Sequence, residues 1–429
     1  MTPCQVNEFC TEDNICLVEK QRGFSQPIGP ARAHFSRFAP LSALLPYSLG
    51  MRSKRADFTS AGQQGELALL AQIRRRAAQT SRSGLRLGIG DDCALLRLRP
   101  REELAVTTDL SIAGRHFRLD WHPPESVGHR ALARGLSDLA AMGARPVAAF
   151  LSLGLPRELT AAKGRRSAWL QRFLDGLLTL AVAHKTPLAG GDLSESPIAL
   201  ADIVLVGAVP RGKAMLRSGA RPGHLLYVTG ALGGASAGLA RLAELAQKAE
   251  EYLDPEGGGG FNPRIKPTES IWALAPEVNF SEYPTRAHPP RTPKKLQVLL
   301  APHLYPQPRI AQGLWLQRHG LASAAIDLSD GLSTDLAHLC HESGVAAEVD
   351  AAALPIHPAA TLAQALDGGE DYELLFTARP TARLPRTIAG VPITPIGRIL
   401  APRPGQPAVT LLTPQGPQPL QPHGWEHFS

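Results

Sequence analysis

Acidic residues recur along this chain at glycine-rich or Ser-Asp punctuation, most of them beside an apolar run. They are Asp91 and Asp92 in GIGDDCALL, Asp109 in TTDLSIAGRHF, Asp138 in LSDLAAMGARP, Asp192 in AGGDLSES, Asp327 and Asp330 in IDLSDGL, and Glu370 and Asp371 in GGEDYELLF. Carboxylates this far apart are gathered, if at all, by the fold. Hard oxygen ligands with coordination positions left for phosphate oxygens are how proteins hold Mg²⁺ on a nucleotide. The pattern points to phosphate chemistry.

The 429 residues suffice for two or three domains, and 44% hydrophobic with 19% charged residues is a globular balance. No apolar run is long enough for a membrane-spanning helix. The N-terminus, MTPCQVNEFCTEDN, lacks the basic start and apolar core of a signal peptide, so a cytoplasmic protein is expected. A net charge of +7 suits anionic ligands. No basic block is interleaved with aromatics, so neither nucleic acid nor membrane is an expected partner. Five cysteines do not make a disulfide framework, and Cys4, Cys10 and Cys16 are spaced too widely for a zinc pair.

Residues 1–57 lack clean periodicity and are expected to be a disordered extension, with Met51 the native start. A first helix is predicted over 65–77. Strands are predicted at 104–109, 147–156, 187–189 and 199–209, and helices at 126–143 and 163–184. This is an α/β layer pattern with an N-terminal domain over 58–212. A C-terminal domain over 213–429 opens with strand, Gly-rich turn and helix at HLLYVTGALGGASAGLARLAEL. A helix near 305 and strand–helix–strand through IDLSDGLSTDLAHLCHESGVAAEVD follow, then short strands near 372–377, 391–399 and 408–413. Between them the Pro- and Gly-rich span 249–300 is expected to be a mobile insertion.

Each motif also has an ordinary reading. GIGDD can be a simple turn, although two adjacent buried carboxylates call for a cation or a proton. Asp138 lies in an apolar helix, so it faces solvent or meets a metal or a donor. Ser329 or Asp330 can cap the helix that follows, and GGEDYE can be a hairpin turn. VTGALGGASAG misses the GxGxxG spacing, and close packing or an anion at the helix N-terminus explains it. There is no GxxxxGK[ST] loop. Cys93 beside Asp92 is expected to be a packed thiol and not a nucleophile.

Taken in order, these segments resemble the thiamine-monophosphate kinase family, within the superfamily of aminoimidazole ribonucleotide synthetase and selenophosphate synthetase. GEL at 65–67, the RSGARPG stretch and the terminal HGWEHF extend the match to about 65–428, outside the 249–300 span. The resemblance implies an α/β (α+β) two-domain subunit and a homodimer built through the N-terminal sheets. It implies ATP-dependent phosphorylation of thiamine monophosphate to thiamine diphosphate, with several Mg²⁺ ions and ATP as co-substrate. It assigns Asp92, Thr107, Thr108, Asp109, Asp138, Asp192, Asp327 and Asp330 as metal ligands. Gly191, Asp192, Arg217 and Ser329 would contact ATP; His116, Glu370 and Trp425 would contact thiamine monophosphate. No covalent nucleophile is assigned.

Two alternatives are weighed. Another synthetase of the superfamily would want a well-placed reactive Cys upstream of the first Gly-Asp loop or at the C-terminus, but residues 58–87 contain no Cys and the sequence ends HGWEHFS. A nonenzymatic nucleotide sensor would have lost its carboxylates, and this chain keeps them.

Overall fold

The computed structural model describes residues 66–78, 84–161, 168–253 and 294–424. The 1–57 extension, Met51, most of the 249–300 span and Trp425 lie outside the described residues. Among the described residues no helix is long and apolar enough to cross a membrane.

Helix α1 (Glu66–Ala77) leads into a small hairpin, β1 (Leu85–Leu87) and β2 (Leu95–Leu96). Next comes a four-stranded sheet ordered β3 (Glu102–Ile112), β6 (Leu200–Pro210), β4 (Arg145–Leu155), β5 (Leu188–Glu195). Only β4 and β5 are parallel, and they are joined by helix α3 (Trp169–Ala183), a crossover that parallel pairing demands. Helix α2 (Pro124–Ala141) starts at a proline, whose missing N–H costs nothing in a first helical turn. It packs against α3 so closely that a Cβ on Gly128 would sit 1.9 Å from the Phe173 carbonyl oxygen, and one on Gly176 1.8 Å from that of Glu125. Leu132, Leu136, Phe173 and Leu177 fill the resulting core.

The second sheet has eight strands. Its main path is β14 (Gly416–Pro419), β13 (Val409–Thr413), β9 (Ala346–Asp350), β12 (Val391–Leu400), β7 (Leu225–Thr229), β10 (Leu374–Ala378) and β8 (Ala324–Asp327), with β11 (Thr387–Ile388) hairpinned onto β12. Helices α4 (Gly234–Leu253), α5 (Lys294–Leu304), α6 (Ile310–His319), α7 (Leu332–Ser343) and α8 (Leu362–Asp367) complete the C-terminal part. Leu226, Val228, Ile326, Leu336 and Leu339 are buried together there.

Three features differ from expectation. Gly190, Gly191 and Asp192 lie inside β5, because pairing with β4 carries the strand on to Glu195. Helix α4 extends to Leu253 and α5 starts at Lys294, so the expected insertion is narrower at both ends. Cys93 is exposed, contrary to the packed-thiol expectation, because the loop between β1 and β2 projects into solvent.

Candidate active site

Strand β3 sorts its residues by parity. Thr107 and Asp109 face α2. Thr107 donates its hydroxyl to an Asp138 carboxylate oxygen, and Asp109 lies 3.5 Å from Arg134. Thr108 points to the opposite face, where it donates to Asp202 at 3.4 Å. From the second sheet, Asp327 at the end of β8 reaches the same place and accepts the Ser137 hydroxyl at 2.7 Å. Three carboxylates from β3, α2 and β8 therefore share one corner.

That corner holds charge poorly by itself. Burial, with Asp138 and Asp202 adding to it against Arg134, pushes Asp109 up to about 6. Burial also raises Asp138, against the Thr107 hydrogen bond. Burial and then Asp138 push Asp327 up to about 7. Asp109 Oδ2 is buried with no hydrogen-bond partner. Like-charged, under-satisfied oxygens are what a divalent cation would neutralise. Among the described residues no group of three or more His, Cys, Asp or Glu side chains is arranged to hold a metal ion.

The corner opens into a cavity of about 540 Å³ lined also by His116, Ser329, Asp330 and Glu370. The Ser329–Gly331 loop is shaped from behind: its three backbone N–H groups all donate to Asp335 Oδ2, at 3.0–3.1 Å. No side chain caps α7, so the helix-cap reading of Ser329 and Asp330 does not hold. The backbone N–H of Glu370 donates to the Ser329 carbonyl at 2.8 Å, lacing the Glu-Asp-Tyr segment to this loop. Glu370 itself sits at φ 67°, a left-handed conformation that costs about 1 kcal/mol or more in a non-glycine residue. Asp371 turns away and accepts the Gly233 and Ala235 N–H groups, at 2.6 and 3.0 Å. The acceptor at the α4 N-terminus is thus the protein's own carboxyl group.

Two turns before Asp138 on α2, Arg130 Nη2 donates to Glu370 Oε1 at 2.5 Å, and Arg130 Nη1 to the His116 carbonyl at 3.2 Å. Burial alone would raise the Glu370 pKa, but Arg130 and His303 overcome it and hold the carboxyl far below its usual range. The Arg118 guanidinium stacks over Trp121, 4.3 Å from the ring centroid. Arg130, Arg134, Trp121 and His303 carry no assignment at sequence level. Arg130 and Arg134 had a signal, since with Asp138 they form a four-residue repeat down one face of α2. His303 had none.

The remaining assigned residues lie elsewhere. Asp92 is in the exposed loop between β1 and β2, and Gly191 and Asp192 are exposed on β5, at the sheet edge opposite β3. The loop and β5 are neighbours, since a Cβ on Gly88 would stand 3.7 Å from the Ala189 carbonyl oxygen. Gly191 adopts φ 145°, and a Cβ there would collide with the Leu151 carbonyl oxygen at 1.8 Å. Arg217, in a short 3-10 turn, is exposed but close enough that its charge lowers both Asp138 and Asp327. None of these four residues lines the cavity.

The two-sheet α/β fold is that of the proteins related to AIR synthase. The family model described as AIR synthase related protein, N-terminal domain, matches residues 90–209. The thiamine-monophosphate kinase of Escherichia coli K12 is 36% identical over 377 residues, covering 85% of this chain and 98% of that protein. The crystal structure of thiamine-monophosphate kinase from Stenotrophomonas maltophilia K279a is 34% identical with a TM-score of 0.60, covering 81% and 96%. The structure of AaThiL complexed with AMPPCP and TMP is 27% identical with a TM-score of 0.56, covering 85% and 97%. This chain belongs to the thiamine-monophosphate kinase family and is an enzyme.

Proposed function

We propose that the chain transfers the γ-phosphoryl group of ATP to the phosphate of thiamine monophosphate, releasing thiamine diphosphate and ADP. The observation that carries this reading is the unpartnered Asp109 oxygen beside Asp138 and Asp327, in the lining of a cavity that also presents His116 and Glu370. Family membership, and the binding of AMPPCP and TMP by AaThiL, support the same substrates.

The acceptor is a phosphate monoester, whose second pKa of about 6 leaves it ionised at neutral pH. It needs no protein base. One of its oxygens forms the new P–O bond to the γ-phosphorus, and the bond from that phosphorus to the β,γ-bridging oxygen breaks. The protein's contribution is alignment and charge placement. Asp109, Asp138, Asp327 and Asp330 would hold Mg²⁺ in the acidic corner, and Thr107 fixes the Asp138 rotamer. Gly191, Asp192, Arg217 and Ser329 are assigned to ATP, and Asp92, with Asp192, to metal. Mg²⁺ held by these carboxylates would supply neutralisation of the negative charge on the phosphates. Glu370, kept ionised by Arg130, faces the cationic thiazolium portion of the acceptor, with His116 on the same wall and Trp425 assigned to the same ligand.

A homodimer through β3 belongs to this reading. Leu104 and Val106 are 56% and 60% exposed on the strand face away from α2, an apolar strip on an edge strand. The cytoplasm, where ATP is available, is the proposed compartment. The test is incubation of the purified protein with ATP, Mg²⁺ and thiamine monophosphate, with separation of the products. Thiamine diphosphate formed one-for-one with ADP is expected. ATP binding with no diphosphate formed would sink the reading in favour of a sensor.

A further inference from the structure

Two buried histidines from distant parts of the chain meet at the cavity wall. His122, in the loop after β3, is 3% exposed, and His303, in the last turn of α5, is 2% exposed. Their Nε2 atoms lie 3.0 Å apart. Such a contact is a hydrogen bond between neutral rings only if one Nε2 carries a proton and the other does not. Burial, reinforced by the nearby Arg130 charge, lowers the pKa of both, so neutral rings are the relevant state.

The surroundings choose the direction. His122 Nδ1 lies 3.1 Å from the Arg118 backbone N–H, which donates to it. The Arg118 carbonyl, 3.2 Å from the same nitrogen, already accepts the N–H groups of Trp121 and His122. His122 therefore carries its proton on Nε2 and donates to His303. The His303 proton is then on Nδ1, a buried atom with no formed hydrogen bond, 3.4 Å from Glu370 Oε2. Arg130 holds the other oxygen of the same carboxylate.

We propose that His122 and His303 are positioning residues, a one-way donor chain from the Arg118 amide to Glu370 that orients this carboxylate for the acceptor substrate. The chain ties three segments together: the loop after β3, the end of α5 and the strained turn at Glu370. The proposal rests on the reading of Glu370 as a contact to thiamine monophosphate. Arg130 alone leaves a left-handed residue's carboxylate free to swing about one anchored oxygen. A second donor at Oε2 removes that freedom, and pre-organisation of this kind appears in substrate affinity.

Two amides separate the two halves of the chain. An Asn side-chain nitrogen takes the place of His Nδ1, and a Gln nitrogen that of Nε2. His303→Asn should keep the KM for thiamine monophosphate within about threefold of wild type. His303→Gln and His303→Leu should raise it about tenfold, the effect of losing one hydrogen bond to a charged group. The KM for ATP should move less than about twofold, because the chain ends on the acceptor side. A His303→Leu enzyme with wild-type KM, or His303→Asn as impaired as His303→Leu, would overturn the proposal. If His303→Leu does not fold, the two amide variants carry the comparison. ¹⁵N NMR of the histidine-labelled wild-type enzyme should place protons on His122 Nε2 and His303 Nδ1, and the reverse assignment overturns it too. Glu370→Gln with unchanged KM for thiamine monophosphate would instead remove the underlying reading. A raised KM in Glu370→Gln with no effect at His303 would remove the donor chain alone.

Discussion

Thr107 and Asp138 meet across the boundary between β3 and α2, the threonine hydroxyl donating to the carboxylate. The bond orients an acid that burial would otherwise drive toward protonation, and it does so beside Asp109 and Asp327. Asp138→Asn preserves shape and leaves the Thr107 hydroxyl an acceptor in the side-chain carbonyl. Turnover should fall by at least about a hundredfold, while the melting temperature changes by only a few degrees. Steady-state kinetics across a Mg²⁺ titration check this, and activity at the wild-type Mg²⁺ dependence would remove Asp138 from the metal set.

The acidic corner links metal binding to pH. Asp109 and Asp327 have folded pKa values of about 6 and about 7, above the unfolded value near 4. Between those values the folded state binds more protons than the unfolded state, so this pair destabilises the metal-free fold as pH rises toward 8. Mg²⁺ reverses the effect, but only once the protons have left. The rise in melting temperature on adding Mg²⁺ should therefore be larger at pH 8 than at pH 5.5. Asp327→Asn should raise the melting temperature of the metal-free protein at pH 8 by a few degrees, about 1–2 kcal/mol, and shrink the Mg²⁺ increment. Calorimetry with and without EDTA makes both comparisons.

Gly191 is held by geometry. A methyl group there meets the Leu151 carbonyl oxygen at 1.8 Å, at a φ that side chains avoid. Gly191→Ala should cost about 2–4 kcal/mol, chiefly by separating β4 from β5. Urea denaturation measures it, and a loss below about 0.5 kcal/mol would show that the strand pair can shift without cost.

Val106 tests the dimer. It sits on the exposed face of β3, away from Thr107 and Asp109. Val106→Glu should shift the sedimentation profile to the monomer, because facing carboxylates repel and an apolar contact is lost. A profile identical to wild type would place the interface elsewhere.

Much of the site was legible before the fold. Glycine and Ser-Asp punctuation marked Asp109, Asp138, Asp327 and Glu370, and the structure brings all four to one cavity. Strand parity separates Thr107 from Thr108, and from sequence it requires only that 102–112 be one uninterrupted strand. Arg130 and Arg134 were available as the other members of the Asp138 stripe on α2. Asp335 and Asp371 are carboxyl side chains as the metal candidates are, but they serve backbone amides, at Ser329–Gly331 and at the α4 N-terminus. No spacing rule separates the two uses, because a carboxylate accepts an N–H and a cation with the same lone pairs.

By itself the sequence determined the alternation of strands and helices, the order of the acidic segments and, through that order, the family. Those are properties of local periodicity and of motifs a few residues long. Tertiary structure alone decided which carboxylates share a corner and that His122 meets His303 across 181 positions of chain. Such pairings depend on how two sheets and their helices settle against one another. The hydrophobic burial that drives this settling is non-directional, so it leaves no local mark on the polar residues it brings together.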